Sequence, residues 1–305
     1  RQNYKRSKVL LIKMSAGKRF REALEENNLL KIVGAINAYS AILAERSGHK
    51  CIYLSGSGVA SASYGIPDLG LTSLEDVLVD VKRISKSTSL PLLVDIDTGW
   101  GDGTNISNSI EKMIEAGAAA VHLEDQIEAK RCGHRPNKKL ISSKEMCERI
   151  KSAIEGRTDP NFFIIARTDA FASEGIEGCI QRSKEYINAG ADGIFLEAIT
   201  SLQDYKELKE AIQKPILANI TEFGKTPLFK DHELMDAGVD MMLFPLSAFR
   251  ASSKATEKVY ESILKNGTQE NVLDIMQTRD ELYDRLDYLN FEKNLDEYIK
   301  NMEDH

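Results

Sequence analysis

Short apolar runs recur along the chain, and the clearest of them follow helix-like segments that end near a glycine. Four of these runs are Cys51–Leu54, Ala120–Leu123, Gly193–Leu196 and Met241–Phe244, which come after the glycines at positions 48, 117, 190 and 238. Glycine ends helices well because it adopts positive φ without a Cβ clash. Runs that are apolar at every position are typical of strands buried on both faces of a parallel sheet. The pattern therefore predicts a series of helix–strand units.

Four further runs complete a set of eight predicted strands: Lys31–Ile36, Pro91–Ile96, Phe162–Ala166 and Pro215–Ile220. Segments with helical periodicity lie between strands at Leu74–Ile84, Ile106–Glu115, Ser143–Ile154, Ile176–Ile187 and Leu202–Ala211. Eight such units predict an α/β fold, a TIM-type (β/α)8 barrel that forms the catalytic domain over residues 1–250. A doubly wound open sheet is the alternative, but no Gly-x-Gly-x-x-Gly motif follows the first strand.

The pattern changes beyond Arg250. Two segments there, Ala255–Leu264 and Arg279–Lys300, have amphipathic helical spacing, and the second is rich in Tyr and Leu. Closure of a barrel does not require these helices. We therefore predict that residues 251–305 form a C-terminal helical extension that packs on the barrel or on a neighbouring subunit.

Composition and charge exclude several classes of partner. The 305 residues carry a formal net charge of −7, which argues against nucleic acid or an anionic membrane surface as a partner. No apolar run approaches the roughly 18 residues of a membrane span, and the basic start lacks the apolar stretch of a signal peptide. Four cysteines without paired spacing indicate a reducing compartment. We expect a cytoplasmic protein, or a mitochondrial matrix protein if the source is eukaryotic.

Carboxylates follow the predicted strands at their C-terminal ends, where barrel enzymes carry their active sites. Asp95 and Asp97 lie two residues apart, so both can point to the same side, and Glu124 follows the next strand. Three carboxylates without His or Cys suit a hard ion such as Mg²⁺, which keeps several waters and a substrate oxygen. The alternative is that these acids cap helices or pair with Arg167. We predict that they bind Mg²⁺.

Other strand ends carry groups that suit an anionic substrate. The segment Ser55-Gly56-Ser57-Gly58 opens a loop in which small residues let backbone N–H groups approach an anion, although a plain tight turn has the same composition. Arg167, Arg250 and Arg279 can each clamp a carboxylate through a bidentate fork, although most arginines are surface charges. Hydrogen-bonding side chains also follow strands at Glu197, Asn219 and Thr221.

A single thiol lies in a basic loop, in the segment Lys130-Arg131-Cys132-Gly133-His134-Arg135. Free cysteine titrates near ~8.5, and neighbouring positive charge lowers that value. A thiol whose pKa approaches neutrality can hold and release a proton, as a general acid–base group must. Cys132 beside His134 is also the minimal signature of a nucleophilic hydrolase, but that chemistry leaves the acidic cluster without a task. A chance thiol in a solvated loop is the remaining alternative.

The segment from Lys130 to Arg135 resembles the signature hexapeptide of the isocitrate lyase/phosphoenolpyruvate mutase superfamily, and the resemblance extends over nearly all of the chain. It is carried by Tyr53–Gly56, Gly65–Gly70, Glu124–Gln126, Cys132–Lys138, Ala166–Asp169, Asn219–Gly224, Pro245–Arg250 and Gln277–Arg279. The later segments resemble the branch that cleaves 2-methylisocitrate. Isocitrate lyases proper share the hexapeptide but are considerably longer.

The resemblance implies roles for individual residues. Asp95 and Asp97 would hold Mg²⁺ with Glu124 in the same shell, and Cys132 would be the acid–base group. The other catalytic candidates are Lys130, His134 and Tyr53, of which Tyr53 is a candidate base for the substrate hydroxyl. Substrate contacts are implied for Ser55, Gly56, Ser57, Cys132, Gly133, Arg167, Glu197, Asn219, Ile220, Thr221, Arg250 and Arg279. Ser57 departs from the Gly common in the family, and Leu196 from a frequent Pro.

The implied reaction is a Mg²⁺-assisted retro-aldol-type cleavage of (2S,3R)-2-methylisocitrate to pyruvate and succinate, as in propionate catabolism, with Cys132 protonating the succinate carbanion. The implied assembly is a homotetramer with exchanged C-terminal helices. Selectivity over isocitrate stays open, because one methyl group is worth only ~1–3 kcal/mol in a pocket. Isocitrate lyase, a phosphonopyruvate-type mutase or hydrolase, an oxaloacetate decarboxylase and an inactive ligand-binding barrel are the alternatives.

Overall fold

The fold is a closed barrel of eight parallel strands, which follow one another around the barrel in chain order. The computed structural model describes residues 14–131, 133–135 and 138–303. The strands are β1 (Leu30–Gly34), β2 (Cys51–Leu54), β3 (Leu92–Asp95), β4 (Ala120–Glu124), β5 (Phe163–Thr168), β6 (Gly193–Leu196), β7 (Ile216–Asn219) and β8 (Met241–Phe244). Pairing of β8 with β1 closes the circle. The prediction of a TIM-type (β/α)8 barrel is therefore confirmed.

Helices alternate with the strands along the chain. They are α1 (Ala16–Glu26), α2 (Ala38–Arg46), α3 (Leu74–Ser87), α4 (Gly103–Ala116), α5 (Ser143–Glu155), α6 (Phe171–Asn188), α7 (Leu202–Ile212), α8 (Asp231–Asp236) and α9 (Ser247–Asn266). After β2 the chain forms one helical turn, Gly56–Gly58, and a π-helical segment, Val59–Tyr64. Ser73 and Ser142 begin α3 and α5 with capping boxes, which satisfy backbone N–H groups that would otherwise lack partners.

The glycines that were predicted to end helices adopt left-handed backbone conformations. Their φ values are 90° at Gly48, 99° at Gly117, 115° at Gly190 and 79° at Gly238. A residue with a Cβ is strained at such angles, so glycine is the residue that allows the chain to leave each helix and enter the next strand. The helix–glycine–strand pattern in the sequence therefore corresponds to turns between helix and strand in the structure.

Side chains alternate between the inside of the barrel and the helical layer. In β4, Ala120 packs with the apolar residues inside the barrel, whereas Val121 and Leu123 pack in the core cluster that the helices share. The pleat of the strand therefore turns His122 and Glu124 inward, on the same side as Ala120. The interior is apolar at the N-terminal ends of the strands and polar at their C-terminal ends.

Helix α1 contributes to the apolar part of the barrel interior. Phe20 is fully buried and packs on Phe163 of β5, with 5.1 Å between the ring centroids. Gly17 lies against the backbone of Asn161 and Phe162, where a Cβ would overlap main-chain atoms. This close approach brings Phe20 against the start of β5, so the functional chemistry is left to the opposite, polar end.

Two aspartates join neighbouring barrel strands in the same way, two strands apart. The carboxylate of Asp192, just before β6, accepts a 3.0 Å hydrogen bond from the backbone N–H of Ile164 in β5. That of Asp240, just before β8, accepts a 2.8 Å bond from the N–H of Ile216 in β7. Each aspartate also pairs with cations, Arg157 for Asp192 and Lys209 for Asp240. These contacts satisfy strand-end groups far from the polar layer.

The chain divides into two compact units, one up to Phe249 and one from Arg250 onward. The second unit contains a 3₁₀ helix (Glu270–Ile275), α10 (Arg279–Leu286) and α11 (Tyr288–Glu303). The prediction of one continuous helix over Arg279–Lys300 is wrong, because Asp287 adopts a left-handed conformation with φ of 56° and ends α10. None of the helices described is long and apolar enough to cross a membrane.

Candidate active site

A layer of buried polar side chains fills the C-terminal end of the barrel interior. It is built from strand positions of one parity, so these side chains point into the barrel in place of apolar ones. Its members are Asp95 on β3, His122 and Glu124 on β4, Arg167 on β5, Glu197 directly after β6 and Asn219 on β7, none more than 8% exposed. Six polar groups buried together require partners, since an unpaired buried charge is costly.

Asp95 is held by backbone and side-chain donors. Its Oδ2 accepts hydrogen bonds from the N–H of Gly56 at 3.1 Å and from the hydroxyl of Tyr53 at 3.4 Å. Its Oδ1 accepts from the N–H of Asp97 at 3.1 Å. Burial alone would raise the pKa of Asp95, but the charges of His122, Lys130 and nearby groups lower it to about 2. Asp95 is therefore a fixed carboxylate.

Asp97 stands in an unusual backbone conformation, with φ of 48°. Positive φ in a residue with a side chain is uncommon and concentrates at functional sites. Lys130 Nζ lies 2.5 Å from Asp97 Oδ1 and 2.6 Å from Asp68 Oδ1, so this ammonium group is shared between two carboxylates. Burial and the charge of Asp95 nevertheless raise the pKa of Asp97 to about 7.

Arg167 is the central cation of the polar layer. Its Nε and Nη2 donate to the two carboxylate oxygens of Asp169 at 3.0 and 3.1 Å, a bidentate fork. Nε also lies 3.3 Å from Glu124 Oε2, and Nη2 lies 3.3 Å from Glu197 Oε2. Within the part of the chain that the structure describes, its hydrogen bonds to Asp169 use Nε and Nη2 and leave Nη1 outside the fork.

Glu197 connects Arg167 to the neighbouring strands and to a loop. His134 Nε2 lies 2.9 Å from Glu197 Oε1, and the Asn219 side-chain amide donates to both oxygens at 3.4 Å. Burial would raise the pKa of Glu197, but Arg167 and His134 lower it to about 2. The loop histidine thus binds the β6 side of the polar layer.

We call residues 127–139 the thiol loop, and its described residues contact this layer at two places. A β-bridge between Gln126 and Leu140 closes the base of the loop. The Gln126 side-chain amide donates to the Arg131 carbonyl and accepts from the Arg131 N–H. Lys130 binds acids on the β3 side, and Gly133 is buried against Arg167 and Glu197 on the β5–β6 side. A Cβ on Gly133 would overlap both side chains. Cys132 lies outside the described residues.

The predicted anion loop lies beside the acids. Ser55 and Gly56 are buried, and Ser57 is half-buried. The Gly56 N–H is used by Asp95 Oδ2, so this backbone positions an acid in the absence of ligand. Ile220 and Thr221 are buried just beyond β7. The two remaining predicted contacts, Arg250 and Arg279, are exposed and belong to the second unit.

Three buried residues join the site although the sequence interpretation gave them no role. His122 bonds the Tyr53 hydroxyl through Nε2 at 2.9 Å, and burial lowers the pKa of His122 to about 4. Asp169 holds Arg167, and Lys138 Nζ bonds both Asp169 Oδ1 and the Gly133 carbonyl at 2.7 Å. His122 lies two residues before Glu124 on β4, so the alternation of the strand turns both side chains inward. Tyr53 is a buried hydroxyl whose pKa burial and Asp95 raise well above its usual range.

The donor chemistry at β3 and β4 fits a hydrated magnesium ion. Glu124 Oε1 is buried without a hydrogen-bond partner among the described residues, and a cation, Lys130, already lies against Asp97. No three His, Cys, Asp or Glu side chains in the described ranges are grouped so as to hold a metal directly. Mg²⁺ is usually held by one or two carboxylates and keeps several waters, so a compact cage of protein ligands is not required.

A cavity of about 550 Å³ opens beside the thiol loop. Residues 67–69 line one side, and residues 129–131 with Arg135 line the other. Its volume lies in the range of small-molecule sites. Asp68 in the lining is paired with Lys130, and Arg131 and Arg135 add positive charge, which suits a small anionic ligand.

Comparison with known proteins agrees with this geometry. Residues 20–264 match the family model of phosphoenolpyruvate phosphomutase. A 2-methylisocitrate lyase of Shewanella oneidensis is 56% identical over 283 residues, which cover 93% of this chain and 97% of that protein.

Two solved structures share the fold. A 2,3-dimethylmalate lyase of the PEP mutase/isocitrate lyase superfamily is 31% identical, with a TM-score of 0.83 and coverage of 94% of each chain. A phosphonopyruvate hydrolase in complex with oxalate and Mg²⁺ is 25% identical, with a TM-score of 0.82 and coverage of 94% of this chain and all of that one. The chain therefore belongs to the phosphoenolpyruvate phosphomutase family and, as its sequence predicts, to the isocitrate lyase/phosphoenolpyruvate mutase superfamily.

Proposed function

We propose that the protein is a carbon–carbon lyase that cleaves 2-methylisocitrate to pyruvate and succinate. The observation that carries the proposal is the seating of Gly133, the residue after Cys132, against Arg167 and Glu197. This contact brings the thiol loop to the cationic side of a site whose other side carries Asp95 and Asp97. The identity to a 2-methylisocitrate lyase supports the choice of substrate.

Asp95 and Asp97, with Glu124 near them, would hold Mg²⁺. When bound, the ion supplies Lewis-acid stabilisation for the hydroxyl and carboxylate oxygens of the half that becomes pyruvate. The oxalate and Mg²⁺ in the related phosphonopyruvate hydrolase support this choice of ion. Lys130 would then hold Asp68 while giving up its contact with Asp97.

The remaining residues bind substrate and move protons. Arg167, with Nη1 outside the fork, would hold a carboxylate of the half that becomes succinate. The substrate hydroxyl loses its proton as its C–O bond becomes a carbonyl, and the electrons of the broken C–C bond pass to the succinate half. Cys132 then donates its thiol proton to that carbanion, the hydroxyl proton passes to solvent, and the thiolate takes one proton back from solvent before the next turnover. Asn219, Thr221 and Ser57 would contact the other substrate oxygens.

We also propose that the second unit packs on a neighbouring subunit in a homotetramer. Large apolar side chains of α9 and α11 are exposed in the single chain, among them Leu264 at 89%, Leu289 at 69% and Phe291 at 70%. Exposed apolar area on this scale is typical of an interface. Light scattering should give four times the chain mass, and a monomer would contradict the proposal.

A coupled assay tests the proposed function. We expect pyruvate release from 2-methylisocitrate with Mg²⁺, little release with EDTA, and slower turnover of isocitrate. Equal rates on both substrates would remove the assignment of the substrate, and full activity in EDTA would remove the role of the metal. Turnover of oxaloacetate or phosphonopyruvate in their place would identify a different member of the superfamily.

A further inference from the structure

Lys138, near the C-terminal end of the thiol loop, carries a buried ammonium group. Its side chain is 7% exposed, and Nζ bonds the carbonyl of Gly133 and Oδ1 of Asp169, both at 2.7 Å. A buried charge persists only where it is paired, so these two contacts determine where the side chain lies. One of its acceptors belongs to the loop and the other to the barrel.

Asp169 is itself held in place by the buried carboxylate of Asp125. Its backbone N–H donates to Asp125 Oδ1 at 2.9 Å, and Thr168 and Tyr186 donate to Asp125 Oδ2 at 2.6 and 2.8 Å. Asp125 is fully buried. Because the Asp125 carboxylate accepts these hydrogen bonds, it has a fixed orientation, and its bond to the Asp169 N–H fixes the backbone of the turn after β5. Asp169 is thus a rigid anchor.

The anchor is shared with the substrate-binding cation. Asp169 Oδ1 accepts from Lys138 and also from Arg167 Nη2, while Oδ2 accepts from Arg167 Nε. The Asp169 carboxylate therefore positions two groups: it holds the Arg167 guanidinium directly, and it holds the Gly133 carbonyl through Lys138. Any displacement of Gly133 relative to Arg167 has to break or stretch the Lys138 bridge.

The two lysine contacts of the loop differ in how they would respond to a metal. Lys130 binds Asp97, where a metal would compete with it, whereas Lys138 binds Asp169 on the other side of the polar layer. Metal binding at Asp97 would therefore leave the Lys138 bridge in place. We propose that Lys138 is a positioning residue, which ties the thiol loop through the Gly133 carbonyl to the carboxylate that orients Arg167.

This inference rests on the proposed function for its effect on catalysis, but the bridge can be measured without activity. The Arg131–Cys132 bond follows an exposed arginine, so trypsin cleavage at that bond reports release of the loop. In ligand-free protein, Lys138→Met should increase the initial rate of cleavage at this bond about tenfold. Lys138→Arg should restore most of the protection, because its guanidinium also donates to two acceptors.

Lys139→Met is the matched control. Lys139 neighbours Lys138 in the same loop, but its side chain is exposed and makes no hydrogen bond or ion pair among the described residues. That variant should be cleaved like the wild type. Cleavage sites outside the loop should be unchanged in Lys138→Met, which separates loop release from general unfolding. Equal cleavage in Lys138→Met and wild type would overturn the bridge.

Turnover provides the second readout. Lys138→Met should lower kcat on 2-methylisocitrate about 100-fold, since small misplacements of a reacting group have effects of this size. Its dissociation constant for Mg²⁺, measured by calorimetry, should equal that of the wild type. Loop release with unchanged kcat would overturn the positioning role while leaving the bridge. An inactive wild type would contradict the proposed function alone, because the cleavage comparison needs no substrate.

Discussion

The ammonium nitrogen of Lys130 lies 2.5 Å from Oδ1 of Asp97. It thus forms an ion pair with one of the carboxylates that are expected to bind the metal. The same nitrogen is 2.6 Å from Asp68 Oδ1, so the charge bridges two loops at the barrel mouth. Burial lowers the pKa of Lys130, but Asp97 and Asp95 outweigh it and hold the pKa well above its usual range. A metal ion bound to Asp97 would therefore compete with this lysine for the same oxygen.

Removal of the Lys130 charge should strengthen metal binding and impair turnover. In Lys130→Met, Asp97 no longer has a competing cation, so the affinity for Mg²⁺ should rise several-fold. The tie to Asp68 is lost, and kcat should fall about 100-fold. Calorimetric titration with Mg²⁺ measures the first effect, with Lys139→Met as the control. Weaker metal binding in Lys130→Met would show that the lysine does not compete.

Gly133 should not tolerate a methyl group. The Cβ of Gly133→Ala would overlap Arg167 Nη2 and Glu197 Cγ, so the loop has to lift from the polar layer. We expect kcat to fall about 100-fold with no loss of thermal stability. Gly103→Ala is the control, because its Cβ would meet only Ser152 Oγ, at 3.6 Å. Full activity in Gly133→Ala would mean that the loop does not seat here during turnover.

His122 should make stability depend on pH in the metal-free protein. Its folded pKa is about 4, against an unfolded value near 6.5, so the unfolded chain binds more protons between these limits. Stability should therefore fall as the pH drops from 6.5 towards 4, by about 3 kcal/mol from this group. In EDTA, denaturant titrations of His122→Gln should show a flatter profile over this range. An unchanged profile would exclude His122 as the source.

Asp192 and Asp240, which lie just before β6 and β8, should affect stability and not catalysis. Asp192→Asn turns an amide N–H₂ towards the N–H of Ile164 or towards an arginine, and Asp240→Asn does the same towards Ile216 or Lys209. Each variant should lose about 1–3 kcal/mol of unfolding free energy. kcat should stay within twofold of the wild type. A large loss of kcat in a stably folded variant would contradict this separation.

The repeating pattern of apolar runs was sufficient to predict the barrel. Cys51–Leu54, Gly193–Leu196 and Met241–Phe244 are strands with the predicted bounds, because runs buried on both faces carry a strong hydrophobic signal. The break at Asp287 was missed, since the residues on both sides keep helical periodicity and only a left-handed φ ends the helix. A local backbone angle of this kind leaves no trace in the pattern.

The polar layer was predictable where chemistry and strand position coincide. Asp95, Glu124 and Arg167 lie in it as expected, because charged residues at strand ends are conspicuous, and their roles stay predictions. His122 was missed because its neighbours are apolar, and Lys138 because its partner, Asp169, is 31 residues away in the chain. Contacts between distant loops depend on the folded geometry, which the order of residues alone does not contain.

The proton step is the central claim, and deuterium incorporation tests it most directly. Wild-type protein with Mg²⁺ and 2-methylisocitrate in D₂O should release pyruvate and succinate in equal amounts, with one deuterium on a methylene carbon of succinate. Cys132→Ser should bind Mg²⁺ and succinate normally, while succinate formation falls by orders of magnitude. Near-normal formation of monodeuterated succinate by Cys132→Ser would contradict the account.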